Sequence, residues 1–89
     1  MMAWKIEVDR KAAKILKSLD ARTQAKIKRF LDALCEHPMP RAAGEPLYGE
    51  YKGLWRYRVG DYRLVCKLED HALRILIVRV GHRRDVYRG

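Results

Sequence analysis

Residues 54–67 read L-W-R-Y-R-V-G-D-Y-R-L-V-C-K, and this stretch restricts the fold more than any other part of the chain. Two β-rich runs flank Gly60-Asp61, a dipeptide that suits a two-residue hairpin turn. Glycine in the first turn position favours type II′. That turn opposes Val59 to Tyr62, Arg58 to Arg63, Tyr57 to Leu64, Arg56 to Val65 and Trp55 to Cys66. Side chains alternate along strands, so Trp55, Tyr57, Val59, Tyr62, Leu64 and Cys66 share one face. Arg56, Arg58 and Arg63 share the other. A slip of one residue would mix arginines into the apolar set, so the register is specified by its own pattern.

The arginine face carries an electrostatic cost, because Arg58 and Arg63 stand directly opposite one another on paired strands. A polyanion lying across that face relieves the repulsion. The whole chain has 20 basic and 11 acidic residues, net +9. Residues 1–50 hold 10 basic and 7 acidic groups, whereas residues 51–89 hold 10 and 4. The excess therefore concentrates around the hairpin. It argues for an acidic partner, nucleic acid first.

With 89 residues, the chain has material for one small domain spanning 1–89, with a modest core. It has no apolar run of membrane-spanning length and no signal-peptide pattern, so a cytoplasmic location without a membrane partner is the expectation. Cys35 and Cys66 are far apart and lack metal-ligand spacing. Both read as buried thiols, and neither a metal nor another cofactor is expected.

Hydrophobic periodicity supplies the other elements. Residues 3–8 alternate, which predicts an opening strand. Asp9 is a helix N-cap for residues 10–19, with Ala12, Ile15, Leu16 and Leu19 at helical spacing. Asp20 caps a second helix over residues 21–36, whose apolar stripe is Ile27, Phe30, Leu31 and Leu34. Pro38 and Pro40 end it. Residues 41–46 read as loop, and Leu47-Tyr48-Gly49 and Gly53-Leu54 as turns or a short extended piece leading into the hairpin. Residues 73–80, L-R-I-L-I-V-R-V, form a further strand antiparallel to 62–68. Strict alternation there sends Ile75 and Ile77 to the helix side, and Leu76, Val78 and Val80 to the arginine side. The fold class is α+β, with an N-terminal strand and a helical hairpin packed on one face of a mainly antiparallel sheet.

Chemistry on a phosphate falls to the strand arginines and to the tail G-H-R-R-D-V-Y-R-G. The last strand ends on the same side of the sheet as the hairpin turn. His82, Arg83, Arg84 and Tyr87 thus emerge near Arg56, Arg58 and Arg63. Guanidinium groups bind phosphate through a bidentate fork, remain charged, and stabilise the extra charge of a phosphoryl transition state. A tyrosine stacks on unpaired bases or moves protons, although its ordinary pKa of about 10 makes it a poor base unaided. A histidine is the more conventional acid or base near neutrality.

G-L-W-R-Y-R-V-G-D-Y-R-L-V followed by V-G-H-R-R-D-V-Y resembles the RelE/ParE superfamily of type II toxins, and the resemblance covers almost the whole chain. It implies a toxin held inactive by a cognate antitoxin, which the +9 charge suggests is acidic. In the RelE branch, it implies metal-independent cleavage of mRNA in the ribosomal A site. The 2′-hydroxyl attacks the adjacent phosphate. By position, Arg63 holds the scissile phosphate, Arg83 stabilises it or protonates the leaving oxygen, and Tyr87 sits at the base or transfers protons. Arg56 stands where RelE has a lysine, and a second RelE lysine falls at Leu54, so Lys52 replaces it only if the strand shifts. His82 is an additional proton donor, and Arg58, Lys52 and Arg84 contact RNA. The alternative branch, ParE, shares the scaffold but inhibits DNA gyrase by binding it.

Overall fold

In the computed structural model, residues 3–83 are described. β1 (Lys5–Val8) leads into α1 (Arg10–Ser18) and α2 (Ala21–Glu36), then β2 (Glu45–Pro46), β3 (Trp55–Val59), β4 (Tyr62–Glu69) and β5 (Arg74–His82). One five-stranded sheet has the order β1-β5-β4-β3-β2. β1 runs parallel to β5, and the other neighbours are antiparallel.

Both helices start where their caps dictate. The Asp9 carboxylate accepts from the Lys11 N–H, and the Asp20 carboxylate accepts from the Thr23 N–H. These contacts satisfy amide donors that a helix start otherwise leaves open. α1 packs over β5, and α2 reaches β1 and β3. Ala12, Ile27, Leu31 and Leu34 from the helices meet Tyr57, Val59, Leu64, Cys66, Leu68, Ile75, Ile77 and Val80 from the sheet. No helix among the described residues is long and apolar enough to cross a membrane.

The hairpin has the expected register throughout, from Trp55 opposite Cys66 to Val59 opposite Tyr62. Gly60 has φ +61°, and Asp61 is not among the positive-φ residues. That combination belongs to the type II′ turn. The last strand departs from strict alternation. A bulge shifts the β4–β5 register between Val65 and Cys66, so that Cys66 faces Ile77 but Val65 faces Arg79. The extra residue reverses the parity beyond it. Val80 therefore enters the helix-side core at 2% exposure, correcting its assignment to the arginine side, and Arg79 takes the open face.

Residues 40–51 are also more ordered than a loop. Two 3-10 turns, Pro40–Ala43 and Gly49–Tyr51, bracket β2, which pairs Glu45 with Arg56. The buried Tyr57 hydroxyl donates to the Pro40 carbonyl at 2.9 Å. Gly44 approaches the Tyr57 ring so closely that a Cβ would lie 2.7 Å from Cε1. Arg41 grips both oxygens of Asp70 at 2.8 Å and lies over the Trp55 ring.

Both cysteines are free thiols. Cys66 is buried, whereas Cys35 is only half-buried. Burial pushes the Cys66 thiol up to about 12, which leaves it protonated and inert.

Candidate functional site

The helices cover one side of the sheet, and the hairpin arginines lie on the other. Val65 is 1% exposed yet outside the helix-side cluster. It forms an apolar floor with Arg56 opposite on β3 and Arg79 opposite on β5. One residue pair nearer the turn, Arg58 opposes Arg63, and Arg63 opposes Gly81. Gly81 contributes no side chain opposite Arg63. The bulge thus builds a four-arginine surface from three strands.

Two neighbours shape this surface. Glu45 Oε1 lies 3.1 Å from an Arg56 terminal nitrogen and 3.9 Å from Arg58 Nε. The Tyr51 ring lies beneath the Arg79 guanidinium, 5.8 Å from its centroid. Arg63 moderates its repulsion with Arg58 by turning toward backbone, donating to the carbonyls of Gly60 and Tyr62 at 3.0 Å. It remains half-buried at the rim of the surface.

Other expected site residues fall in several places. The Arg83 N–H donates to the Asp61 carbonyl at 2.7 Å, which fastens the end of β5 to the hairpin turn. The Arg83 residue is exposed. His82 pairs with Tyr62 and meets its ring edge-on at 5.8 Å. Its strand parity is that of Val80, so it belongs to the helix side rather than to the face of Arg56. Lys52 is exposed in the turn before β3, and no strand shift brings it into the position of Leu54. Arg84 and Tyr87 lie outside the described residues.

The sequence reading missed Glu45, Tyr51 and Arg79. Glu45 arrives through a two-residue strand too short to show periodicity. Tyr51 arrives through a 3-10 turn. Arg79 arrives through the bulge. The one available signal was Pro46, since proline suits an edge strand. A separate cavity of about 380 Å³ lies on the helix side, lined mainly by Ile6, Leu16, Ala25, Ile27 and Leu31, away from these charged groups. Among the described residues no cluster of His, Cys, Asp and Glu has the makings of a metal site.

Two helices packed on one face of a five-stranded mixed sheet match the fold of solved RelE toxins. Residues 6–87 match the family described as the ParE toxin of the type II toxin–antitoxin system parDE, and the chain belongs to that family. The toxin in the RelBE2 toxin–antitoxin complex of Mycobacterium tuberculosis superposes with a TM-score of 0.81 at 30% identity, over 96% of this chain and 97% of that one. The isolated Escherichia coli RelE toxin gives 0.74 at 23% identity, covering 90% of this chain and 84% of that one, a likeness of fold. The M. tuberculosis toxin RelG is 41% identical over 49 residues, 55% of this chain and 56% of RelG. Toxin RelE of the same organism is 37% identical over 49 residues, 55% of this chain and 50% of its own length. The matched stretch spans about half the length of these curated relatives.

Proposed function

We propose that this toxin is a ribosome-dependent endoribonuclease that cleaves mRNA in the A site. The observation that carries the reading is the open face, where Arg56, Arg58, Arg63 and Arg79 surround an apolar floor with the Glu45 carboxylate among them. Several guanidinium groups with one carboxylate supply the parts of a metal-independent transesterification.

In the reaction, Glu45 takes the proton from the 2′-hydroxyl, which arginine cannot do. The O2′–P bond forms, and the P–O5′ bond breaks. The product ends in a 2′,3′-cyclic phosphate. Arg56 and Arg63 bind the non-bridging oxygens and stabilise their added charge. The leaving 5′ oxygen takes its proton from Tyr87, the group left with one to give, since the parity of β5 puts His82 on the helix side. Arg83 neutralises the charge that develops at the phosphate. Tyr51 offers an aromatic face on which an unpaired base stacks. Arg58, Lys52 and Arg84 hold the flanking phosphates.

The test is to incubate the purified chain with translating ribosomes and map RNA ends by primer extension. Cuts confined to the A site, bearing cyclic phosphates, are expected. Intact RNA together with blocked supercoiling by DNA gyrase would establish the other branch. That second reading draws on the ParE family match and on the arginine and leucine at positions 56 and 54, where the RelE branch has lysines.

The fitting partner is an acidic antitoxin that orders as it wraps the +9 chain. Several structural neighbours are toxin–antitoxin complexes. Co-purification with the product of the adjacent gene tests this. A free chain that is harmless when expressed alone counts against it.

A further inference from the structure

The basic surface does not stop at the hairpin. On α2, Arg22, Lys26 and Arg29 are all exposed, and their spacing of four and three residues aligns them on one face of the helix. The buried residues Ile27, Leu31 and Leu34 occupy a different arc, so this row is not a by-product of core packing. Lys28, on the opposite flank, is neutralised by Asp32 at 3.0 Å. Among the described residues, none of Arg22, Lys26 and Arg29 has an ion-pair partner.

Lys26 joins this row to the sheet. Its Nζ lies 3.1 Å from the position a Cβ would take at Gly60. Arg63 donates to the carbonyl of that same Gly60 at 3.0 Å. The hairpin tip is therefore clasped by a cation from the helix side and a cation from the open face. Positive charge continues from one face of the sheet, over the turn, and along α2.

We propose that Arg22, Lys26 and Arg29 form a second nucleic-acid contact, which grips the phosphate backbone of base-paired RNA. Two features select that ligand. A protein interface has an apolar or aromatic centre, and this row has none. Single-stranded RNA is held largely by stacking on aromatic rings, which the open face offers at Tyr51 and α2 does not. A line of cations without aromatic groups suits the regular backbone of a duplex, recognised by shape and charge. The choice of RNA over DNA rests on the ribonuclease reading, under which the duplex is ribosomal RNA flanking the A site.

The experiment uses the full chain and two labelled probes, an RNA duplex of roughly 20 base pairs and an unpaired RNA of about the same length. Affinity is measured by fluorescence anisotropy over a range of potassium chloride concentrations. For the R22Q/K26Q/R29Q variant, duplex affinity falls by about tenfold or more, and the slope of log affinity against log salt shrinks by about two to three. Unpaired RNA binds it within about twofold of the unchanged chain. Arg63→Ala shows the reverse preference. Duplex binding that survives the triple substitution overturns the proposal. So does an equal loss for both probes, or a loss of antitoxin binding with RNA binding intact. A thermal melt verifies folding; if the triple variant does not fold, Lys26→Gln alone must reduce the duplex slope by about one. Because neither probe requires a ribosome, a failure of A-site cleavage and a failure of this contact are read separately.

Discussion

At one end of the open sheet face Arg74 lies between two carboxylates, 2.7 Å from Glu7 on β1 and 2.7 Å from Glu69 on β4. At the other end Arg56, Arg58, Arg63 and Arg79 share their stretch with Glu45. The residue type is the same, and the two arrangements do different things. Around Arg74 the charges close on each other and tie three strands together. Around Val65 four guanidinium groups gather over a buried apolar floor with the Glu45 carboxylate among them, the arrangement the nuclease proposal rests on. The comparison teaches that what a cation does in a sheet depends on which carboxylates its neighbouring strands bring to it.

The sharpest way to break the comparison is to remove one arginine from each end. Arg63→Ala lowers A-site cleavage by at least about a hundredfold while the melting temperature holds. Arg83→Ala does the same. Arg74→Ala lowers the melting temperature and leaves cleavage within about twofold, since surface pairs rarely reach the chemistry. Equal losses of cleavage at Arg63 and Arg74, measured on folded protein, would erase the distinction between the ends.

Glu45→Gln sharpens it next. On the nuclease reading Glu45 is the base, and its loss lowers the rate by about 10²–10⁴. A mere counter-ion would show the opposite outcome: tighter RNA binding with the rate retained. Single-turnover cleavage at saturating enzyme separates the two.

A smaller effect is expected in the scaffold beneath Glu45. Tyr57→Phe removes the hydroxyl that donates to Pro40 and leaves that buried carbonyl without its donor, costing about 1–3 kcal/mol by urea denaturation. The substitution loosens the segment that carries Glu45, so some rate is lost with it.

The smallest effect concerns pH and belongs to the ion-paired end. The Arg74 guanidinium holds the Glu69 carboxyl below its ordinary range, and Arg41 does the same for Asp70. A carboxyl depressed in the folded state adds stability that is fully present above the unfolded pKa, about 4. That stability is lost as pH falls through the lower, folded value. Melting temperature therefore drops below about pH 4, and Glu69→Gln with Asp70→Asn flattens that part of the curve. Cleavage at neutral pH is untouched by both.

Much of this was legible in the residues themselves. Alternation about Gly60-Asp61 settled the hairpin register and put Arg56, Arg58 and Arg63 on one face. Asp9 and Asp20 announced both helices, because capping is a local interaction between residues two or three apart. The motif at residues 80–87 pointed to Arg83 and Tyr87 by resemblance alone.

Three things were decided only in the folded chain. The bulge opposite Val65 and Cys66 sent Arg79 outward and Val80 inward. The two-residue β2 brought Glu45 to Arg56. The meeting of Lys26 with Gly60 carried positive charge around the turn. Each depends on atoms distant in sequence competing for the same space, and a periodic pattern holds no record of that competition. The sequence determined which residues are cationic and which face each of its regular strands presents. Tertiary packing decided which cations stand together and which carboxylate joins them, because both are set by where a strand breaks its own rhythm.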